Sequence, residues 1–429
     1  MIKKISIDQL EAGMFVNDFN HDWKNPCCQD KDPNAFRGAR FIQTDDEVRA
    51  IINHGITELY IDSEKGKDVE SAQSAQDIEA SLEAQMRALD DDFEDEPKPV
   101  REVHFNDEVK QASQAKDQAR KLVGNILVDS RLGKQVTLAP VKDAVTQMAE
   151  SMFRNPDAIL SLSLIKKRDE YTFMHSVNVG VFLMSFCRAM EMKEEEIINV
   201  GIGGMLHDIG KMHTPEEVLN KKGKLTDEEF AIMQEHVVFS RKILEDTPGI
   251  EDISIKVAAQ HHERFDGTGY PMGLKGDDIN FFGQMAAIVD VYDAITSDRC
   301  YHKGNPPNLA LKRMLDWSKH HFNMELFQKF IQCVGIYPMG TLVRLKNNLV
   351  GVVLRPNKES LLHPVIKIVL NAKTKKLVQP KELNLLAFKD AKQDKKTEGF
   401  AIAGAESSEK WKINPAKYMT EPQLYKDSN

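Results

Sequence analysis

The side chains best able to do chemistry in this chain are His175, the adjacent pair His207-Asp208, His236, the adjacent pair His261-His262, and Asp290. Imidazole nitrogen and carboxylate oxygen suit borderline divalent cations such as iron, manganese, nickel or zinc. Seven such groups exceed what one tetrahedral ion needs, and Asp208 can offer one oxygen to each of two ions. Each residue also has a duller reading. His175 alone fits a hydrogen-bonded core histidine, and His261-His262 beside Glu263-Arg264 fits a charged helix end. It is their joint occurrence that points to metal.

Glycines crowd the central pair. Gly201, Gly203, Gly204 and Gly210 surround His207-Asp208, and each lowers helix propensity by about 1 kcal/mol relative to Ala. That loss makes sense where backbones approach closely or a ligand enters; tight helix packing without catalysis is the alternative. Lys211 lies one turn after His207 and faces the same side, where it can meet a phosphate oxygen or a water between ions. After His262, the run Glu263 to Pro271 (ERFDGTGYP) holds two glycines and a proline, which makes it a shaped loop rather than a continued helix.

These groups fall on or at the ends of predicted helices, which make rigid platforms for inward-facing ligands. The helical pattern runs over 105–333; HSVNVGVFLMSFCRAM, for example, sets His175, Val179, Phe182 and Phe186 on one face. Residues 1–64 read as a small α+β module, with strands at KKISIDQL, GMFVNDF, ARFIQT and ELYIDS and a short helix at DDEVRAIINHG ending at Gly55. Residues 65–104 read as an acidic flexible linker. Over 334–390 the period becomes two, with a hairpin turning at Asn347-Asn348 and a second strand pair at HPVIKIVLNAKTKKLV. Residues 391–429 read as a polar tail. The predicted fold is therefore mainly α, flanked by a small α+β domain and a strand-rich extension.

The strings HDIGK (207–211), MQEH (233–236), HHERFDGTGYP (261–271) and VDVYDAITSDRCY (289–301) together resemble the motif series of the HD-GYP family of cyclic di-GMP phosphodiesterases, over about residues 150–330. HD alone is a weak signal; HHERFDGTGYP is highly specific. The amino-terminal KKISIDQLEAGMFV and ITELYIDSEKG resemble the uncharacterised domain that often precedes such modules, and VGIYPMGTLVRLKNN a short strand-rich extension that comes after them. The resemblance implies that His175, His207, Asp208, His236, His261, His262 and Asp290 are metal ligands, with Asp208 bridging. It implies that Lys211 lies near a bridging hydroxide and phosphate, that Arg299, with Lys303 less securely, holds the substrate phosphate, and that Asp266, Gly269, Tyr270 and Pro271 form a loop for site support and partner contacts. It further implies hydrolysis of cyclic di-GMP by a metal-bridging hydroxide, giving linear pGpG and, after a second cleavage, GMP.

The chain departs from part of that family at one position. Some members bind a third ion through a glutamate four residues before the first histidine, where this chain has Tyr171, a poor ligand at neutral pH. Two divalent ions are therefore expected, iron or manganese before nickel or zinc, with Glu170 the one route to a third. Other readings are a phosphohydrolase acting on another nucleotide, which would not need HHERFDGTGYP; a cyclic di-GMP receptor, which would be expected to have lost ligands; and an adaptor working through the loop at Tyr270 or the first domain.

Composition narrows the partners. The net charge of −9 is concentrated in Asp62–Glu96, where 13 acidic residues face 3 basic ones. No basic block suggests long nucleic acids, and no apolar run is long enough to span a membrane. Five cysteines (Cys27, Cys28, Cys187, Cys300 and Cys333) form no CxxC pair, which fits free thiols in a reducing compartment. With no apolar secretory stretch at the amino terminus, a cytoplasmic location is expected.

Overall fold

A computed structural model describes residues 1–20, 38–53, 56–91, 103, 105–164, 171–221, 223, 225–297, 304–318, 320–357, 359–389 and 398–419. Among these residues the chain is mainly helical, with two antiparallel sheets. It divides into two compact units, Met1–Ala88 with Glu216–Phe230, and Leu89–Pro215 with Ala231–Asn429.

The first unit is built on β1 (Ile2–Ser6), β2 (Phe15–Asp18), β3 (Arg40–Phe41), α1 (Asp45–Asn53) and β4 (Glu58–Asp62). The strands lie in the order β1-β4-β2-β3, and alternate residues of one face, Ile5, Val16, Leu59 and Ile61, pack with Ile42 and Ile51 into a small core. Residues 65–91 are structured, in contrast to the acidic flexible linker expected there. The Lys4 amide donates to the Gln73 carbonyl, and the Ser74 hydroxyl accepts from the Asp77 amide at 3.1 Å to start α2 (Ala75–Asp91). Asp77 and Glu79 lie on the exposed side of this helix, whose Met86 and Leu89 are buried. Residues 92–102 and 104 lie outside the described part of that stretch.

The second unit holds α3 (Phe105–Arg131), α4 (Leu138–Arg154), α5 (Pro156–Leu164), α6 (Tyr171–Ala189) and α7 (Glu194–Leu206). Beyond the short α8 (Glu216–Leu219) come α9 (Asp227–Glu245), α10 (Asp252–Gln260), α11 (Phe281–Thr296), α12 (Pro307–Trp317) and α13 (Met324–Val334). Helices α6 and α11 are apolar on nearly every face and form the centre of the unit, as an all-round apolar helix must. Asn280 caps α11 by accepting from the Phe282 amide at 3.0 Å. The glycines of α7 allow close backbone contact on two sides. A Cβ on Gly204 would lie 2.8 Å from the Gly180 Cα on α6, and one on Gly203 would lie 2.9 Å from the Ser254 Cα on α10.

After α13 come β5 (Leu342–Leu345), β6 (Leu349–Asn357), β7 (Ser360–Asn371) and β8 (Lys376–Asn384). The first hairpin turns at Asn347-Asn348, with Asn348 at φ 66°, a conformation asparagine tolerates. The polar tail expected from residue 391 is partly structured instead. Residues 402–406 form β9 (Ile402–Glu406), which pairs with β5 and completes a sheet in the order β8-β7-β6-β5-β9. Arg344 on β5 reaches Glu406 at 2.7 Å, and Glu406 also takes Lys410 at 2.7 Å and the Trp411 indole at 3.1 Å from α14 (Ser408–Trp411). The short α15 (Ala416–Met419) comes last. No described helix is long and apolar enough to cross a membrane.

Candidate metal centre

Five helices deliver the seven groups. His175 comes from the first turns of α6, His207 caps the C-terminus of α7, and Asp208 begins the tight turn Ile209–His213. His236 lies within α9, His261 caps α10 with His262 next to it, and Asp290 lies in the middle of α11. Gly210 seats the Asp208 turn against α9. Its amide donates to the Ser240 hydroxyl at 2.9 Å, and a Cβ there would stand only 2.0 Å from the His236 carbonyl. No larger residue fits without moving one backbone.

All seven side chains are buried and converge on one centre. Oδ2 of Asp208 lies 3.2 Å from His207 Nε2 and 3.7 Å from His175 Nε2. Its other oxygen, Oδ1, lies 3.4 Å from His236 Nε2 and 3.8 Å from His261 Nε2. Asp290 also faces both ways, with Oδ1 3.0 Å from His175 Nε2 and Oδ2 3.8 Å from His262 Nδ1. Two triads result, His175-His207-Asp208 and His236-His261-His262, each with its donor atoms within 4.8 Å of one another.

The donor atoms are prepared for a Lewis acid. Nδ1 of His207, His236 and His261 each bonds the main-chain carbonyl three residues earlier, at 2.8, 2.6 and 2.8 Å. A carbonyl only accepts, so Nδ1 carries the proton and the Nε2 lone pair points inward. Nε2 of His207, His236, His261 and His262, Oδ1 of Asp208 and Oδ2 of Asp290 are buried with no hydrogen-bond partner. Leaving one such atom unpaired costs about 1–3 kcal/mol. Six of them converging on one centre fit divalent cations and little else.

Electrostatics agrees with that chemistry. Burial pushes the His236 pKa down, carries His261 down to about 3, and with the neighbouring histidines holds His262 well below its usual value. These three rings are neutral, as ligands must be. Burial opposes the Asp208 and Asp290 charges, but neighbouring groups, His207 and Lys211 beside Asp208 and His175 beside Asp290, outweigh it and hold both carboxyls well below the usual range. His175 differs. Burial would lower its pKa, yet hydrogen bonds with Asp290 and Asp293 outweigh this and raise it to about 9. A cation taking its Nε2 must displace a proton.

Lys211 Nζ donates to Asp208 Oδ2 at 2.5 Å, on the rim of the centre. The loop after His262 folds over the second triad. The Tyr270 ring lies 4.7 Å from the His262 ring at 32° and 6.5 Å from that of His236, and its amide donates to the His262 carbonyl. Asp266 turns the loop by accepting from the Thr268 amide and hydroxyl, at 2.9 and 2.7 Å. Gly269 allows the return, since a Cβ would meet the Arg264 amide at 2.3 Å, and Pro271 comes next through a cis peptide after Tyr270. Arg299 and Lys303 lie outside the described residues, as does Glu170.

Two carboxylates escaped the sequence reading. Glu263, 2% exposed, accepts from the Met272 amide at 2.8 Å and the Leu274 amide at 2.9 Å, pinning the far end of the loop. Asp293, wholly buried, takes His175 Nδ1 at 2.8 Å. Its one sequence signal is a position three after Asp290, on the same face of α11.

Comparison with known proteins agrees with this geometry. The HD domain family matches residues 160–326, and a domain of unknown function, DUF3391, matches residues 2–141. That second match runs through α2 and α3 into α4, well past the boundary expected at residue 64. A cyclic di-GMP phosphodiesterase of Pseudomonas aeruginosa is 37% identical over 375 residues, 87% of each chain. A cyclic di-GMP phosphodiesterase of Thermotoga maritima is 34% identical over 170 residues, 39% of this chain and 46% of that one. The 3'3'-cGAMP-specific phosphodiesterase 1 of Vibrio cholerae is 34% identical over 163 residues, 38% of this chain and 37% of that one. Likeness over nearly the full length, on a helical core that assembles the HD pair with four further histidines and Asp290, means that the chain belongs to the HD-GYP family of the HD phosphohydrolases.

Proposed function

We propose that this chain is a metal-dependent phosphodiesterase that hydrolyses cyclic di-GMP to linear pGpG. The substrate is taken from the Pseudomonas relative, whose likeness spans 87% of both chains. The observation that carries the chemistry is the double-facing Asp208, with one oxygen toward His175 and His207 and the other toward His236 and His261. That geometry supports two ions, the first held by His175, His207 and Asp208 Oδ2, the second by His236, His261, His262 and Asp208 Oδ1. Asp290 has an oxygen on each side. Divalent cations there supply Lewis acidity toward a phosphate oxygen and a water acidified enough to act as nucleophile near neutral pH.

The chain's own groups do the rest. Lys211 can turn from Asp208 to a non-bridging phosphate oxygen and offset its growing charge. Arg299 and Lys303 are assigned to the substrate phosphate by the family motif. Tyr270 braces His262 through its ring and is given no part in proton transfer. Two ions per chain are expected, because Tyr171 replaces the glutamate of three-ion members.

The test is product chromatography on the full chain, loaded anaerobically with iron(II) or manganese(II), offered cyclic di-GMP and 3'3'-cGAMP separately. Conversion of cyclic di-GMP to pGpG, faster than any cleavage of 3'3'-cGAMP, is expected; GMP would report a second cut. Failure of the two-ion protein to open cyclic di-GMP, or preference for 3'3'-cGAMP, would refute the substrate.

A further inference from the structure

His175 is braced unlike the other rings of the centre. His207, His236 and His261 each give Nδ1–H to a main-chain carbonyl. His175 gives its own to the carboxylate of Asp293 at 2.8 Å. That carboxylate is fully buried and held from a second side: Asn178, one turn after His175, donates to Oδ1 at 3.1 Å, while the Ser297 hydroxyl, which donates to the Asp293 carbonyl at 2.6 Å, stands 3.3 Å from Oδ2. An ionised acceptor on Nδ1–H makes Nε2 more basic and fixes the ring plane, more strongly than a neutral carbonyl does.

We propose that Asp293 is a positioning residue that makes the two metal positions unequal, tightening the one built on His175, His207 and Asp208 relative to the one built on His236, His261 and His262. This rests on the two-ion reading above. The carboxylate touches neither ion nor substrate; it acts through the His175 ring. The tighter ion enters first and stays when metal is scarce, and the second position then decides whether the site is complete.

The experiment is a manganese(II) titration of the metal-free full chain against a competing chelator, for wild type and Asp293→Asn, which keeps the side-chain shape and removes the charge. Wild type should show two ions of unequal affinity. In Asp293→Asn the tighter ion should weaken by about 10–100-fold, while the other stays within about twofold. A double-mutant cycle separates positioning from general structure. In a His236→Ala background the substitution should still weaken the remaining ion, and in a His175→Ala background it should change nothing. An equal loss at both positions, or the same loss without His175, would overturn the proposal. Should the Asn variant not fold, ring-nitrogen NMR of zinc-loaded wild type decides: the His175 proton must sit on Nδ1, and a proton on Nε2 overturns the proposal. A wild type that binds no ion sinks the two-ion reading and this inference together; two equal ions, or an unchanged variant, sink the inference alone.

Discussion

Gly210→Ala is the sharpest test of how the centre is assembled, because the substitution adds one methyl group and touches no donor atom. In the structure that methyl would lie 2.0 Å from the His236 carbonyl oxygen and 2.5 Å from the Ser240 amide nitrogen, where ordinary contact starts near 3.4 Å. Both obstacles are backbone, so the Asp208 turn and α9 must part by about 1.4 Å. Overpacking of this kind costs about 1–3 kcal/mol, and losing the bond from the Gly210 amide to Ser240 adds about 1 kcal/mol. A total of about 2–4 kcal/mol corresponds to a fall in Tm of about 4–16 °C for a domain of about 200 residues. Because α9 carries His236, 3.4 Å from Asp208, the position it shares with His261 and His262 should weaken more than the position at His175. Calorimetry of the metal-free chain and metal titration measure the two effects separately. Gly404→Ala, where nothing lies within 4 Å of the added carbon, is the control and should leave both unchanged. Wild-type Tm together with wild-type affinity at both positions in Gly210→Ala would refute the close-approach argument.

Asp208→Ala should abolish turnover and lower affinity at both metal positions, with the metal-free helical core still folded; retention of both ions by equilibrium dialysis would count against the bridging role. Lys211→Ala should lower kcat while metal content stays near wild type, as read by paired metal analysis and steady-state kinetics. If the lysine only neutralises Asp208, metal affinity will move instead. Chelated protein should regain stability on metal addition, by about 4 kcal/mol for one ion at a thousandfold excess over its Kd, and no rise in Tm would argue that the buried donors meet something other than a cation.

The centre was legible because its parts are unusual in kind and joined by rare strings such as HHERFDGTGYP. Imidazoles and aspartates on helices and at their ends beside four glycines leave few structural explanations, and three of those glycines, Gly203, Gly204 and Gly210, do mark backbone contacts, while Gly201 makes room for the Met184 and Val145 side chains. Asp293 was not legible, since an aspartate three residues after another carries no sign of which neighbour it braces. The helix α2 was hidden by its composition: the acidic run from Asp62 to Glu96 masks an apolar stripe carrying Met86 and Leu89. Inclusion of Glu216–Phe230 in the first unit depends on contacts far apart in sequence, which no local pattern records. Strand β9 failed for a related reason: IAGAE is short and built of small residues, and it becomes a strand through its pairing with β5.

That last pairing has a consequence for biogenesis. β9 closes the side of β5 that would otherwise present open amide and carbonyl groups, and its partner positions lie some 60 residues further along the chain. At about 5–20 residues per second, the ribosome takes about 3–12 s to travel that distance. During this interval the hairpin of β5 and β6 has an uncapped edge, the kind that recruits a strand from another molecule. A chain cut between β8 and β9 would keep that edge for good. Such a protein should retain its buried metal-binding groups and still be prone to self-association.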